Sequence, residues 1–300
     1  MLRKLNLFTP TTSPFVQLLV ASLASRTMRH ASWYSYNILA IDYTGLIHSE
    51  YLKHSCEAAG SASTANPSNR MAFLEIACFN AESALIANEA GADRIEFCES
   101  PEVGGTTPDF GTLRNIKVQM SIPVFVMIRP RGGDFVYTDT EFQQMRASIE
   151  IFKEMADGFV FGVLDANRKV DIQRTKGLVS LARPLPCTFH RAFDQTADLY
   201  NALEDVVHCG MSTVLTSGGA SSAPEGRETL AKLVKTAQGR ITIMPGGGVR
   251  STNIELLRRA TQAGFYHSSA LVDNGQVASL TEICRLRTSC SRNLNHDEAP

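Results

Sequence analysis

Phe73-Leu74-Glu75-Ile76-Ala77, the amphipathic run Ala81 to Ala90, and then Gly91-Ala92-Asp93-Arg94-Ile95-Glu96-Phe97-Cys98 read as one strand–helix–strand unit. The first and last pieces are short and apolar or β-branched, whereas the middle piece has a helical period. A run of that length is enough for a crossover joining two parallel strands. Gly91 stands just beyond it, where a left-handed residue ends a helix cheaply.

The same alternation continues along the chain. Further strands are expected at Val124 to Arg129, Phe159 to Leu164, Cys187 to His190, Thr213 to Ser217, Ile241 to Pro245 and Phe265 to Ser268. Helices are expected at Phe110 to Gln119, Glu141 to Met155, Leu199 to His208, Arg227 to Ala237 and Asn253 to Ala263, with a last one over Ser279 to Arg287. Gly158, Gly210 and Gly264 repeat the stop seen at Gly91. Eight such units within about 230 residues predict an α/β fold of the TIM (βα)8 barrel type, because a doubly wound sheet usually has fewer strands. The glycine fingerprint of a dinucleotide-binding sheet is absent after the first strand, where Cys78-Phe79-Asn80 stands instead.

Composition narrows the function. The 300 residues are 44% hydrophobic and 20% charged, and 29 basic against 30 acidic side chains leave a net charge of −1. Such a balance provides no global field for nucleic acid or an anionic membrane, and no apolar run is long enough to cross a bilayer. Seven cysteines without regular spacing do not suggest a disulfide framework, which favours a reducing, cytoplasmic setting.

Residues 1–70 read differently from the rest. No acidic residue precedes Asp42, while Arg3, Lys4, Arg26 and Arg29 are scattered among Ser and Thr, as in a mitochondrial presequence. The small, polar stretch Glu57 to Arg70 reads as a linker, and Met71 offers an alternative start. The expected organisation is a poorly ordered extension over 1–70, the barrel over 71–290 and a tail over 291–300.

A barrel interior is normally Val, Ile and Leu, with its chemistry at the C-terminal strand ends. Here those ends are polar. Glu75 lies in the first strand, Glu96 and Cys98 in the second, Arg129 ends the third and Asp165 follows the fourth. His190 and Arg191 end the fifth strand and His267 lies in the eighth. Charged groups are seldom buried unpaired, so such a ring marks either a site or an internal ion-pair network. Alternation adds that Arg94, Glu96 and Cys98 share one face, and that Glu75 and Ala77 share another with Cys78 out of phase, unless the chain turns there.

Glu75, Glu96, Asp165, His190 and His267 are the acid–base candidates. Arg129 and Arg131, in Arg129-Pro130-Arg131-Gly132-Gly133-Asp134-Phe135, suit an anion. Gly247 and Gly248, in the turn after the seventh strand, offer peptide N–H groups where barrels often hold phosphate. Cys78 and Cys98 on adjacent strands are either small buried hydrophobes or a two-thiolate site for a soft ion such as Cu(I). No lysine lies in an expected strand, which argues against Schiff-base chemistry.

Several unbroken runs resemble the CutC copper homeostasis family. They are Leu74-Glu75-Ile76-Ala77-Cys78, Gly91 to Cys98, Gly104-Gly105-Thr106-Thr107-Pro108, Arg129 to Phe135, Thr188-Phe189-His190-Arg191-Ala192-Phe193-Asp194, Leu215-Thr216-Ser217-Gly218 and His267-Ser268-Ser269-Ala270. The resemblance implies a TIM barrel in the cytosol, a role in copper tolerance or trafficking, and Cu(I) held by Cys78 and Cys98. It covers the chain from about Met71 into the last helix. This chain departs from it in its first 70 residues and in a short stretch between His267 and the final helix, which would leave the mouth less roofed. Two functions follow as expectations: a copper-binding protein without catalysis of its own, and a barrel enzyme acting on a small anionic or phosphorylated substrate. The expected partners are a copper ion, a small anionic ligand and further copies of the chain, with neither nucleic acid nor membrane.

Overall fold

The computed structural model describes residues 72–292. The expectations for residues 1–70, and for most of the tail 291–300, lie outside the described residues. Eight strands alternate with eight α-helices: β1 (Phe73–Cys78), α1 (Ala81–Glu89), β2 (Arg94–Phe97), α2 (Phe110–Lys117), β3 (Val124–Met127), α3 (Asp139–Phe152), β4 (Gly158–Phe161), α4 (Ile172–Ala182), β5 (Cys187–Phe189), α5 (Leu199–Cys209), β6 (Thr213–Thr216), α6 (Arg227–Ala237), β7 (Thr242–Pro245), α7 (Ile254–Thr261), β8 (Phe265–Ser268) and α8 (Leu280–Ser291). Short 3-10 turns over Pro101–Val103 and Arg191–Gln195 follow β2 and β5.

All paired strands are parallel, in the order β7-β6-β5-β4-β3-β2-β1-β8. Each strand pairs with its sequence neighbour, and β8 returns to β1. That is the topology of a TIM barrel, nearly closed. The β7 and β8 edges touch without ladder pairs among the described residues. Side chains bridge them at the C-terminal end, where Ser268 Oγ donates to Val249 O at 2.7 Å and Arg250 Nη1 donates to Ser268 Oγ at 3.2 Å.

Local chemistry sets the helix starts. Asn80, Asp109, Asp171, Asp198 and Ser279 each accept a backbone N–H from the first turn, and Thr138 with Glu141 forms a reciprocal capping box on α3. The helix α4 has no counterpart among the runs singled out in the sequence; Gly177 in its middle and the Pro184-Leu185-Pro186 segment beyond it weaken its local signal. Gly91 and Gly210 do take left-handed conformations after their helices, whereas Gly158 and Gly264 do not. Gly158 is the first residue of β4, and a Cβ there would meet the Phe125 ring at 2.5 Å, so it serves close packing rather than helix termination.

The main core lies between sheet and helices, where outward residues such as Leu74, Ile76, Phe97, Phe159, Phe161 and Phe189 are buried. Each contributes about 1.5–3 kcal/mol by burial. A second, smaller cluster of Cys98, Phe125, Met127 and Val160 fills part of the barrel interior. Among the remaining interior positions, Glu75, Arg94, Glu96 and His267 are charged or ionisable, and they define the site.

Candidate functional site

Parity along β1 turns Glu75 and Ala77 into the barrel and Leu74, Ile76 and Cys78 toward the helices. The ladders then place Glu75 level with Arg94 on one side and with His267 on the other. Its two oxygens meet both: Oε2 accepts from Arg94 Nε, and Oε1 lies 2.7 Å from His267 Nδ1. The Arg94 guanidinium also stacks over the Phe125 ring at 4.0 Å and approaches Met244 Sδ at 3.7 Å. This layer is internally neutralised. Burial would raise the Glu75 carboxyl, but the Arg94 charge and the bond to His267 outweigh it and hold the group at about 2. Burial likewise works against a charged His267, yet the bond to Glu75 and the charges of Glu96 and Glu75 keep its imidazole above the ordinary value.

One layer nearer the strand ends, Ala77 is level with Glu96. Here the interior opens into a cavity of about 180 Å³ lined by Ala77, Glu96, Arg129, His190, Arg250 and His267, among others. Glu96 is 3% exposed, and its Oε2 has no hydrogen-bond partner. Burial, with the charge of Glu75 adding to it and His267 and Arg94 opposing, pushes this carboxyl up to about 7.

His190 is likewise 3% exposed. Its Nδ1 accepts the Ala192 N–H at 3.2 Å, which assigns the ring proton to Nε2, and Nε2 has no partner. Burial and then the charge of Arg129 hold the imidazole neutral, down to about 3. The ring packs 4.7 Å from Phe135. It also requires Gly162, where a Cβ would sit 2.7 Å from His190 Nδ1.

Arg129, 4% exposed, donates to the carbonyls of Val103 at 2.7 Å, Gly105 at 2.8 Å and Gly133 at 3.1 Å, and stacks 4.7 Å over Phe135. No carboxylate pairs with it among the described residues. Arg250 is held by Val249 O and the hydroxyls of Ser268 and Ser269, also without a carboxylate among the described residues. Arg191 differs, since Asp194 neutralises it at 2.9 Å. Gly247 and Gly248 line the cavity beside it.

The sequence candidates therefore divide. Glu96, His190, His267, Arg129, Gly247 and Gly248 converge on one mouth, with Glu75 directly beneath it. Asp165 does not join them. Its Oδ1 accepts the N–H groups of Asn167 and Lys169, both at 2.8 Å, and it borders a separate groove of about 690 Å³ with Asp198 and Asp205. The turn after β4 uses this carboxylate to shape its own backbone. Arg131 is turned to its loop as well, paired with Glu141 at 2.6 Å and Asp134 at 3.0 Å and donating to three loop carbonyls.

Cys78 and Cys98 are fully buried and neither lines the cavity. Cys78 belongs to the sheet–helix core and Cys98 to the barrel interior, so the two sulfurs leave their strands on opposite faces. Burial first, then the charge of Glu96, pushes both thiols well above the ordinary value; Glu75 adds to this at Cys78, and Cys78 followed by Glu75 at Cys98. Glu75, Glu96 and His267 are the group of ligand atoms close enough to share a cation among the described residues, lying within 4.8 Å of one another. Glu75, however, already spends both oxygens on Arg94 and His267, so a cation would compete with Arg94.

Sequence reading did not single out Arg250. Its signal was a guanidinium two residues beyond Gly246-Gly247-Gly248, at the end of an expected strand.

The fold and this mouth define a (βα)8 barrel with its ionisable groups gathered at the C-terminal strand ends, where barrels of this type carry their chemistry. The sequence profile of the CutC family matches residues 72–272, and the chain belongs to that family. A human copper homeostasis protein cutC homolog is 46% identical over 199 residues, covering 66% of this chain and 73% of the relative. A CutC family protein of Chromobacterium violaceum is 45% identical over 208 residues, covering 69% and 83%. A crystal structure of a copper homeostasis protein CutC from Streptococcus agalactiae superposes with a TM-score of 0.63 at 32% identity, covering 66% of this chain and 98% of that one. No helix among the described residues is long and apolar enough to cross a membrane.

Proposed function

We propose that the barrel mouth binds a small anionic molecule and performs acid–base chemistry on it. One observation carries this reading: the buried polar atoms Glu96 Oε2 and His190 Nε2, from different strands, lack partners and border the same small cavity as Arg129, a buried guanidinium without a carboxylate. Buried polar groups are normally satisfied, and leaving each one unpaired costs about 1–3 kcal/mol. A bound ligand offering a negative group to Arg129 and Arg250 and oxygen atoms to His190 and Glu96 offsets that cost.

The test is calorimetric titration with small phosphates and carboxylates beside uncharged analogues. Binding of the anions alone, weakened about tenfold or more in Arg250→Ala, supports the reading. Equal indifference to every anion sinks it.

A second reading, Cu(I) held by Cys78 and Cys98, draws support from the names of the human and Streptococcus relatives. The ladder bond from Cys98 N–H to Cys78 O at 3.0 Å keeps the two residues adjacent. Copper would then be cargo, held where the ends of β1 and β2 adjoin, with Cys98 Sγ 3.7 Å from Cys78 O. Anaerobic Cu(I) titration of the wild type against the Cys78→Ala, Cys98→Ala double variant decides it. Unchanged stoichiometry and affinity in the double variant eliminate the thiolate site.

A further inference from the structure

We infer that the mouth catalyses proton transfer at a carbon next to a carbonyl group, in a small phosphorylated hydroxy-aldehyde or hydroxy-ketone. In this assignment Glu96 is the base and neutral His190 is the hydrogen-bond donor to the carbonyl oxygen. The inference rests on the reading that the mouth binds a small anion, and it names the reaction and substrate class of that site.

Three features point to this class. First, the Ala192 N–H occupies His190 Nδ1, so the ring presents Nε2–H, a donor without a protein acceptor, on the wall of the cavity. Such a neutral imidazole suits an oxygen that gains charge during reaction, because an N–H fixed in place needs no reorganisation.

Second, only one of the two interior carboxylates is free to act. Glu75 is bound by Arg94 and His267, whereas Glu96 has an unpartnered oxygen at the cavity, level with Ala77, whose small side chain leaves its head accessible. One free carboxylate and one neutral donor on the same cavity are the set enolisation needs, whereas glycoside hydrolysis needs two working carboxyl groups.

Third, the anion has its own place. Arg250 and the glycine turn at Gly247-Gly248 border the cavity on the β7 and β8 side. No protein acceptor meets the Gly247 and Gly248 N–H groups among the described residues. Peptide N–H groups without a protein acceptor, on the same cavity lining as Arg250 and with the Asp194-paired Arg191 next to Gly247, suit a phosphoryl group. A cavity of about 180 Å³ limits the rest of the molecule to a few carbons.

The step balances without an added reagent. The Glu96 carboxylate takes the proton from the carbon beside the carbonyl. The electron pair of that C–H bond becomes a C=C bond, and the carbonyl oxygen takes up the negative charge, accepting the hydrogen bond of His190 Nε2–H. Returning the proton to the same carbon restores the substrate. Returning it to the neighbouring carbon, with the hydroxyl proton passing between the two oxygens, completes an isomerisation.

The experiment uses the full chain in heavy water with phosphates of three- to five-carbon aldoses and ketoses, following the proton next to the carbonyl by NMR. Inorganic phosphate titration runs in parallel on every protein. The wild type is expected to exchange that proton with solvent. Glu96→Gln should lower the rate by about 100-fold or more, and His190→Ala by a similar factor, while His190→Gln, which keeps an N–H donor, restores part of it. All three should retain phosphate binding. Phosphate binding without exchange of any of these substrates overturns the inference and leaves the anion reading in place, whereas absence of phosphate binding overturns the inference, and the anion reading falls with it where carboxylates are not bound either. Exchange undiminished in Glu96→Gln overturns the assignment of the base even where wild-type exchange is seen.

Discussion

Two neighbouring layers of one barrel treat buried charge in opposite ways. In the lower layer, Glu75 is enclosed by Arg94 and His267, and every charge has an opposite within bonding distance. In the upper layer, two residues along each strand, Glu96 and His190 are as deeply buried yet carry unpartnered atoms, and Arg129 has carbonyls but no carboxylate. The lower layer behaves as architecture. Desolvation in the upper layer is not compensated by the protein itself, which is what a ligand-binding surface requires.

The sharpest way to break this contrast is Glu75→Leu, which strands the Arg94 guanidinium in the interior. Removing one partner of a buried pair costs about 3–5 kcal/mol, so urea unfolding near neutral pH should show a loss of that order. A loss within error of zero would mean that the lower layer is not structural. Glu75 also sets an acid limit. Its folded value of about 2 lies below the unfolded 4.5, so its contribution is complete above the unfolded value and is lost as pH falls from there through about 2.

Glu96 should show the opposite sign. Its folded value of about 7 lies above the unfolded 4.5, so the folded state binds the extra proton, and stability falls as pH rises between the two. Glu96→Gln removes that penalty. Relative to wild type, the variant should gain about 3 kcal/mol on going from below the unfolded value to above the folded one, read from paired denaturation curves. A difference independent of pH would mean that Glu96 is not held above its ordinary value in the folded protein.

The smallest effect is expected at Asp165, whose carboxylate serves a turn outside both layers. Asp165→Ala should cost about 1 kcal/mol in thermal or urea unfolding and leave anion binding at the mouth unchanged. Weakened binding would bring Asp165 back to the site.

Much of this was legible in the linear chain because it depends on near neighbours. Strand positions from Phe73 to Ser268 follow from short apolar runs, and seven of the eight helices from a helical period, whereas the caps that start them emerge from the structure. The parity of Arg94, Glu96 and Cys98 also read correctly, since side chains two apart in a strand share a face. Asp165 did not, because a residue just past a strand end is no longer governed by that parity and can turn to its own loop. Arg131 was read as an anion ligand for its place in a glycine-rich loop, whereas Glu141 on α3 captures it.

Residues 72–292 carry in their order eight strands, all but one of the helices between and after them, and the face-sharing of residues two apart in the first two strands, since all of these arise within a few residues. Which charges are neutralised was decided only in three dimensions. Glu75 finds Arg94 at a separation of 19 residues and His267 at 192, through ladder registers set by the closing sheet. Electrostatic energy depends on distance and desolvation in space, and neither is written in spacing along a chain. The same physical reason left Glu96 and His190 without partners, two side chains that look no different in sequence from those beneath them.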